Sequence, residues 1–388
     1  MKKKIFVILS RIPYPLEKGD KLRAFYQIRE LSKNHELILC AVSDTEPHPD
    51  AMRILGEFSN SIYFFRIRKA DIFCRLMKAL FSLKPFQVAY FYKKSIKKKI
   101  DALLEQHRPD HIFCQLIRTA EYAWNSNIDK TIDYQDVFSA GLKRRLDIAP
   151  WYKRIILKEE YKRVLRYEQR VFDHFDKKTI ISFPDRDKIP HPDREQTTVI
   201  SNGVDTGFFK PLPDEKRYDV VFTGNMGYPP NINGAEFLVR EIMPLVWSER
   251  PETTVVIAGA SPAPKVKNLA SEKVLITGWV DDIRSYYASS RVFIAPMRIG
   301  TGLQNKVLEA MSMKLPCITS PLANKALGAR DDIEVLIGKN TEIYAQHILS
   351  LLSDSEARNQ LGENGYQFVL QHFNWESTTA KLGKVITG

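Results

Sequence analysis

The sequence of 388 residues has few of the features that mark secreted, metal-binding or membrane-spanning proteins. Its four cysteines, at positions 40, 74, 114 and 317, form no CxxC pair, which argues against a disulfide framework or a zinc site and favours reduced thiols. The apolar run at the start ends after five residues, which is shorter than the ~7–15 of a signal peptide. No segment approaches the ~18 apolar residues of a membrane span, so we expect a cytoplasmic protein.

The positive charge lies almost entirely in the first half of the chain. The sequence has 58 Lys and Arg against 46 Asp and Glu, a net charge of +12. Residues 1–200 contain 39 of the basic and 26 of the acidic side chains, whereas residues 201–388 contain 19 and 20. The two halves are therefore expected to meet different partners.

Short apolar runs alternate with amphipathic helical patterns along the whole chain, which is typical of parallel sheets covered by helices. We predict strands over residues 5–9, 37–42, 63–67, 111–115, 131–134, 179–182, 219–223, 254–258, 274–277, 292–295 and 317–320. Helices are predicted over residues 21–33, 95–106, 151–175, 234–247, 283–288, 303–313, 345–352 and 374–386.

A single doubly wound sheet rarely needs this length, and residues 185–213 are rich in Pro, Asp and Gly. We therefore predict an α/β fold with two Rossmann-like parallel-sheet domains facing across a cleft, with ligands at the carboxyl ends of the strands. The predicted domains are residues 1–198 and 199–372. A final helix, within residues 373–388, is expected to pack back toward the first domain.

Residues 295–311 give the clearest indication of a ligand-binding site in the sequence. A strand leads into a loop with Gly300 and Gly302, and a helix follows, whose N-terminal amides and dipole favour an anion such as phosphate. Arg298 and Lys306 add positive charge beside that anion. Glu309 shares a helix face with Lys306 and is suited to accept hydrogen bonds from ribose hydroxyls. The alternative is an ordinary strand-to-helix connection in which Lys306 and Glu309 are solvated or paired.

Two carboxylates, Asp133 and Asp136, follow a predicted strand of the first domain. They are placed either to orient an acceptor hydroxyl and act as a base, or to cap a helix and face solvent.

At this point the residues resemble a family. Residues 202–211, which begin Asn202-Gly203-Val204-Asp205, resemble the junction between the two domains of the retaining glycosyltransferases of family 4, which have the GT-B fold. Residues 300–311 with the following Leu315-Pro316 are similar to the donor-binding segment of that family. Three further similarities are weaker. Residues 221–226 resemble the first strand and loop of the donor domain, residues 278–280 the nucleotide-base turn, and residues 11–20 the first glycine-containing loop.

The resemblance implies that the C-terminal domain holds a nucleotide-diphosphate sugar and the N-terminal domain a glycan or lipid-linked acceptor, in surface polysaccharide or glycoconjugate assembly. Arg298, Lys306 and Glu309 form the expected catalytic group, with Glu309 holding the ribose. The expected donor-binding residues are Gly19, Gly224, Asn225, Trp279, Val280, Gly300, Thr301, Gly302, Leu303 and Gln304. Lys18, Asp20, Asp133 and Asp136 are assigned to the acceptor side.

The sequence departs from the family pattern at three places. Thr301 stands where the family often has a first glutamate, so no carboxylate reaches the donor sugar from there. Asn225 and Met226 replace the usual Arg and Lys, which is why we assign that charge to Arg298 and Lys306. The family's histidine has no equivalent between Cys114 and Arg118.

Transfer with retention by front-face attack needs positioning and a stabilised leaving diphosphate rather than a protein nucleophile. No DxD pattern lies in a loop expected to face the cleft, so we predict metal-independent transfer without a further cofactor. Two alternatives remain open: a sugar-nucleotide epimerase, and a non-catalytic partner subunit with the same fold.

Aromatic and basic residues are mixed in two stretches of the first half, residues 80–100 and 151–170. The first contains five lysines within seven residues. Either these are solvated helix faces, or they form a surface for anionic lipids, which attract such segments by roughly 1 kcal/mol per basic residue. The second interpretation suits a lipid-linked acceptor and a peripheral position on the inner face of the cytoplasmic membrane. No nucleic-acid-binding pattern is present, so no nucleic acid is expected as a partner.

Overall fold

The computed structural model describes residues 2–147, 149–299 and 302–388. The chain forms two compact units, one of residues 1–201 with 375–388 and one of residues 202–374. Each unit contains one parallel sheet with helices, and this confirms the predicted fold class of two parallel-sheet α/β domains.

The first unit has a seven-stranded parallel sheet in the order β3-β2-β1-β4-β5-β6-β7. Its strands are β1 (Lys4–Leu9), β2 (Glu36–Ser43), β3 (Ser61–Arg66), β4 (His111–Gln115), β5 (Lys130–Asp133), β6 (Lys177–Ile180) and β7 (Thr198–Val199). Its helices, apart from the last one of the chain, are α1 (Gly19–Ser32), α2 (Ala51–Gly56), α3 (Lys69–Leu80), α4 (Phe86–Phe91), α5 (Lys94–His107), α6 (Ala120–Ala123), α7 (Phe138–Asp147), α8 (Trp151–His174) and α9 (Phe183–Arg186).

Strand β1 shows why the central strands read as unbroken apolar runs. Ile5, Val7 and Leu9 pack into the core on one side of the sheet, and Phe6 and Ile8 pack into the core on the other. All five side chains are buried. Because helices cover both faces, the buried positions 5–9 are all apolar, and only the partly exposed first residue, Lys4, is polar.

The second unit has a six-stranded parallel sheet in the order β10-β9-β8-β11-β12-β13. Its strands are β8 (Tyr218–Thr223), β9 (Val255–Ala258), β10 (Val274–Ile276), β11 (Ser290–Ala295), β12 (Cys317–Thr319) and β13 (Leu336–Ile337). Its helices are α10 (Pro229–Phe237), α11 (Met243–Glu249), α12 (Pro264–Lys267), α13 (Arg284–Ala288), α14 (Asn305–Ser312), α15 (Pro321–Leu327), α16 (Thr341–Ser353) and α17 (Ser355–His372).

The helix predicted over residues 234–247 is interrupted. A π-helical turn at Leu238–Ile242 separates α10 from α11. Pro244 lies in the first turn of α11 and has no N–H to donate to the preceding turn. A π-turn before it accommodates the missing hydrogen bond.

The last helix, α18 (Trp375–Thr387), packs within the first unit. The ring of Trp375 stacks on Tyr26 of α1 with a centroid distance of 5.0 Å. Leu382 and Ile386 are fully buried in the same core. The helix thus covers one face of the first sheet together with α1.

In each sheet the strand order reverses at one point, between β1 and β4 in the first unit and between β8 and β11 in the second. At such a point the connections leave the strands toward opposite faces, and a crevice opens at the carboxyl ends. These two edges are where the candidate site residues lie.

Candidate active site

The loops after β8 and β9 come into direct contact. Gly224 follows β8 and Gly259 follows β9, with φ values of +146° and +139°. A Cβ on Gly259 would lie 2.0 Å from the carbonyl oxygen of Gly224. A Cβ on Gly224 would lie 2.8 Å from Nδ2 of Asn231 and 3.3 Å from Nζ of Lys306. Glycine is therefore required at both positions, and Gly224 keeps the space beside Lys306 open.

Lys306 lies in the first turn of α14 and reaches back toward this space. Its Nζ donates a hydrogen bond to Oδ1 of Asn231 and lies 4.7 Å from the centroid of the Phe222 ring. No carboxylate of the described chain forms an ion pair with it. Burial of the ammonium lowers the pKa of Lys306 to about 7, against a smaller effect of Glu309. The site therefore holds a partly buried cation that lacks an anion.

Glu309 lies one turn further along α14, and Tyr287 of α13 fixes its position. The Tyr287 hydroxyl donates a hydrogen bond of 2.8 Å to Oε2 of Glu309 and lies 2.8 Å from Oγ1 of Thr223. Burial raises the pKa of Glu309, while the Tyr287 hydrogen bond and the charge of Lys306 oppose that rise. This places a carboxylate next to the carboxyl end of β8.

The loop before α14 is described from Gly302 onward, and Gly300 and Thr301 lie outside the described residues. The Gln304 side chain donates a hydrogen bond of 2.9 Å to the carbonyl oxygen of Gly302. Leu303 packs against the core of the second unit. A Cβ on Gly302 would meet no atom within 4 Å, so the loop borders open space.

Arg298 is already paired in this structure. Its Nη1 lies 3.1 Å from Oε1 of Glu241, and its guanidinium lies 4.2 Å from the centroid of the Phe237 ring. Asn233 accepts a further hydrogen bond from its Nε at 3.4 Å. Arg298 thus lies along α10, and for it to contact a donor, ligand binding would have to break the pair with Glu241.

Trp279 and Val280 follow β10 at the same edge of the sheet. Gly278 precedes them with φ of +73°, and its carbonyl accepts a hydrogen bond of 3.1 Å from the N–H of Gly259. The Trp279 side chain is 70% exposed, an unusual position for a large aromatic ring. Asn225 is exposed as well, and its Oδ1 accepts from the N–H of Gly227 at 2.9 Å.

In the first unit, the predicted residues near the start of α1 lie at the surface. Lys18 caps α1 and Gly19 begins it, and a Cβ on Gly19 would meet no atom within 4 Å. Asp20 forms an ion pair with Arg11. The carboxylate of Asp20 is thereby engaged within the protein.

The structure corrects the interpretation of Asp133. Its carboxylate is fully buried and forms an ion pair with Arg23, with Oδ2 lying 2.7 Å from Nε. Its Oδ1 also accepts a hydrogen bond of 3.1 Å from Oγ1 of Thr179. Asp133 therefore holds α1 and β6 to β5 and presents no free carboxylate. Asp136 is exposed and remains a candidate on the acceptor side.

Comparison with known proteins finds relatives of the second unit and of the whole chain. Residues 217–354 match the family model described as "Glycosyl transferases group 1". The match lies within the second unit, and in these residues the chain is similar to the glycosyl transferases of group 1. It is 22% identical, over 98% of its length and 99% of the relative's, to an uncharacterized 44.6 kDa protein in the cps region of Klebsiella pneumoniae. It is 24% identical, over 51% of its length and 60% of the relative's, to the lipopolysaccharide core biosynthesis mannosyltransferase LpcC of Rhizobium leguminosarum bv. viciae.

Solved structures share the fold of this chain over both units. Sucrose-phosphate synthase of Thermosynechococcus elongatus matches with a TM-score of 0.69 at 15% identity, over 99% of this chain and 98% of that one. Anabaena HepE, solved in complex with UDP, matches with a TM-score of 0.69 at 13% identity over the full length of both chains. The architecture is therefore that of the GT-B glycosyltransferases.

Sequence reasoning missed the residues that hold the site together. Tyr287 and Asn231 bind Glu309 and Lys306 from helices far away in the chain. Arg23 lies 110 positions from its partner Asp133. A buried tyrosine at the end of a short helix was the one available signal, and it did not reveal which carboxylate it would contact.

Proposed function

We propose that this protein is a retaining glycosyltransferase that moves a sugar from a nucleotide-diphosphate donor to a glycan or lipid-linked acceptor. The observation that carries the proposal is Lys306, a partly buried cation without a carboxylate partner beside a space that Gly224 keeps open. A desolvated cation of this kind is suited to stabilise the charge of a leaving diphosphate.

We assign the remaining roles to residues at the same edge of the second sheet, where the carboxyl ends of its strands lie. Glu309, held by Tyr287, is placed to accept hydrogen bonds from the ribose hydroxyls. Trp279 and Val280 border the position proposed for the base, and the amides at the start of α14 face the diphosphate. Arg298 contacts the diphosphate only after its ion pair with Glu241 is broken. We assign the reaction to surface polysaccharide or glycoconjugate assembly, because the curated relatives include a protein of a cps region and a lipopolysaccharide core mannosyltransferase.

A thermal-shift screen with UDP-, GDP-, ADP- and CMP-sugars tests donor binding, since a ligand of the native state raises the melting temperature. We expect one base class to stabilise the wild type and Lys325→Gln, an exposed lysine of the same unit, but not Lys306→Gln. No shift with any nucleotide, or an equal shift in Lys306→Gln, would overturn the proposal. Conversion of the donor without an acceptor would indicate the epimerase alternative, and binding without transfer or hydrolysis a non-catalytic subunit.

Metal-independent transfer is part of the proposal, because Lys306 and the α14 amides supply positive charge where other enzymes use a cation. Transfer measured after treatment with EDTA should equal that of the untreated protein. Activity that is lost with EDTA and restored by Mg²⁺ or Mn²⁺ would contradict this part.

We also propose that the first unit binds the inner face of the cytoplasmic membrane. Large apolar side chains are exposed near the end of α3 and the start of α8, namely Phe73, Met77, Leu80, Phe81, Leu83, Trp151, Tyr152, Ile155 and Ile156. Arg163, in the middle of α8, donates a 2.7 Å hydrogen bond to the carbonyl of Ala79, so the end of α3 lies beside α8. Basic side chains such as Lys78, Lys84 and Lys153 lie among them. Such a mixture is typical of an interfacial membrane surface.

No helix in the described part of the chain is long and apolar enough to cross a bilayer. Flotation with vesicles tests surface binding instead. We expect recovery with anionic vesicles to exceed that with neutral ones and to fall in Ile155→Glu. The control Leu275→Glu, at an exposed leucine of the second unit, should float like the wild type. Equal recovery with both vesicle types would contradict the membrane proposal.

A further inference from the structure

The side chain of Arg118 is an unpaired cation at the edge of the first sheet. It follows β4, next to the point where the strand order reverses between β1 and β4. Its Nε is buried without a hydrogen-bond partner. No carboxylate among the described residues forms an ion pair with it. Burial lowers the pKa of this guanidinium.

The guanidinium of Arg118 contacts two aromatic rings, one from a residue before it in the chain and one from a residue after it. Its Cζ lies 4.9 Å from the centroid of Phe138 and 5.2 Å from that of Phe91. Contact with ring faces stabilises a cation and fixes its plane, but it satisfies none of the N–H donors. The two terminal nitrogens, which unlike Nε are not among the buried atoms without a partner, therefore stay available to a ligand.

The acidic groups nearby are already occupied. Asp20 is paired with Arg11, and Asp44 accepts a hydrogen bond of 2.5 Å from the Tyr90 hydroxyl. Arg23 is paired with Asp133, and Arg163 with Glu159 and the Ala79 carbonyl, whereas Arg75, like Arg118, keeps one buried nitrogen without a partner. An unsatisfied buried donor costs free energy, and a ligand that accepts hydrogen bonds from the Arg118 guanidinium would offset part of that cost.

The backbone around Arg118 is also unusual. Leu116, two residues before it, has φ of +65°, and Gln135, after the neighbouring strand β5, has φ of +57°. Side chains rarely adopt this conformation, and it is concentrated at ligand-binding sites. Both residues lie at the carboxyl ends of adjacent strands.

We propose that Arg118 binds an oxyanion of the acceptor, either the carboxylate of an acidic sugar or the phosphate of a lipid-linked one. The planar guanidinium is suited to a two-pronged contact with either group. This inference rests on the proposed function, because it gives that transferase an acidic class of acceptor. The proposal also gives a role to the segment of residues 114–118, where the family resemblance leads one to expect a histidine.

Calorimetric titration of the full chain with matched pairs of probes tests the inference. Glucuronate is compared with glucose, and geranyl diphosphate with geraniol. We expect the wild type to bind the anion of at least one pair at least tenfold more tightly than its neutral partner, and the pair that shows it identifies the source of the oxyanion. Arg118→Met should lose that preference, and Arg145→Gln, an exposed arginine of the same unit, should keep it. No preference in either pair, or a preference that survives Arg118→Met, would overturn the inference.

Melting temperatures separate this role from a structural one. Arg118→Met loses the contacts of the guanidinium with Phe91 and Phe138 but also removes a buried donor without a hydrogen bond, so its melting temperature should stay close to that of the wild type. A lower melting temperature with the anion preference intact would show that Arg118 acts in packing alone. Nucleotide-sugar binding should persist in Arg118→Met, and the anion preference should persist in Lys306→Gln, so failure of the inference and failure of the proposed function give different results.

Discussion

Arg23 with Asp133 in the first unit and Lys306 with Glu309 in the second are two cation and carboxylate sets near the carboxyl ends of parallel strands. Arg23 and Asp133 are both 0% exposed and bind each other through two nitrogen–oxygen contacts, of 2.7 and 3.2 Å. Lys306 and Glu309 form no such pair, and each binds a neutral group instead, Asn231 and Tyr287.

The difference shows how to separate structural charges from functional ones. A buried pair that is complete within the protein leaves nothing to offer a ligand, even when it lies at a sheet edge where ligands bind. A desolvated charge that lacks its counterion destabilises the free protein and gains most when an oppositely charged ligand arrives. By this criterion Lys306 and Arg118 are ligand-binding groups, and Arg23 and Asp133 are not.

The largest effect is expected from breaking the complete pair. Asp133→Asn leaves the Arg23 charge buried without its counterion, which should lower the free energy of unfolding by about 3–5 kcal/mol. Urea denaturation of the full chain measures this change. Asp147→Asn is the matched control, because this exposed carboxylate should change stability by less than about 0.5 kcal/mol. A loss below about 1 kcal/mol in Asp133→Asn would contradict the structural role.

Substitutions of Lys306 and Glu309, which do not form such a pair, should lower activity rather than stability. Lys306→Gln and Glu309→Gln should lower the transfer rate by about 10²–10³-fold, the range seen when one stabilising group is removed. Their melting temperatures should not fall, because neither side chain completes an internal ion pair. Steady-state kinetics and thermal melting of the same samples, with Lys325→Gln as control, measure both. A variant that unfolds as readily as Asp133→Asn while keeping its donor affinity would show that the set is structural.

A smaller effect is expected from the group that positions Glu309. Tyr287→Phe removes one hydrogen bond to the carboxylate and should weaken donor binding by about tenfold, a value typical of one hydrogen bond to a charged group. Because that hydrogen bond favours the charged form, its loss should raise the pKa of Glu309 further. The acid limb of the profile of KM against pH should then move to higher pH. Tyr286→Phe, at the neighbouring tyrosine, should leave the profile in place, and an unmoved limb in Tyr287→Phe would refute the positioning role.

Most of the fold followed from the sequence because local patterns encode it. The apolar run of β1 and the helical spacing of α1 depend on neighbours close in the chain, and both elements form within two residues of their predicted bounds. The π-turn at Leu238–Ile242 was missed because apolar spacing alone indicates one continuous helix. The position of Lys306 and Glu309 on one helix was also readable from their spacing.

What the sequence did not reveal is which charge meets which partner. The partners of Asp133, Glu309 and Lys306 lie 110, 22 and 75 positions away, respectively. Such contacts depend on how the strands are ordered and where the helices end, and no local pattern carries that information. In the sequence, Asp133 and Glu309 are therefore both candidate site carboxylates. In the folded protein Asp133 is paired with Arg23, whereas Glu309 accepts a hydrogen bond from the neutral Tyr287.

The most direct test of the central claim is proton uptake on donor binding. Because the pKa of Lys306 is lowered to about 7, the side chain is mostly neutral at pH 8 in the free protein. A bound diphosphate favours the charged form, so binding must add a proton, and affinity should fall as the pH rises above 7. We expect titration calorimetry at pH 8, in buffers of different ionisation enthalpy, to show uptake of close to one proton per donor in the wild type. Lys306→Arg, which stays charged, should take up none; absence of uptake in the wild type, or equal uptake in the variant, would contradict the account.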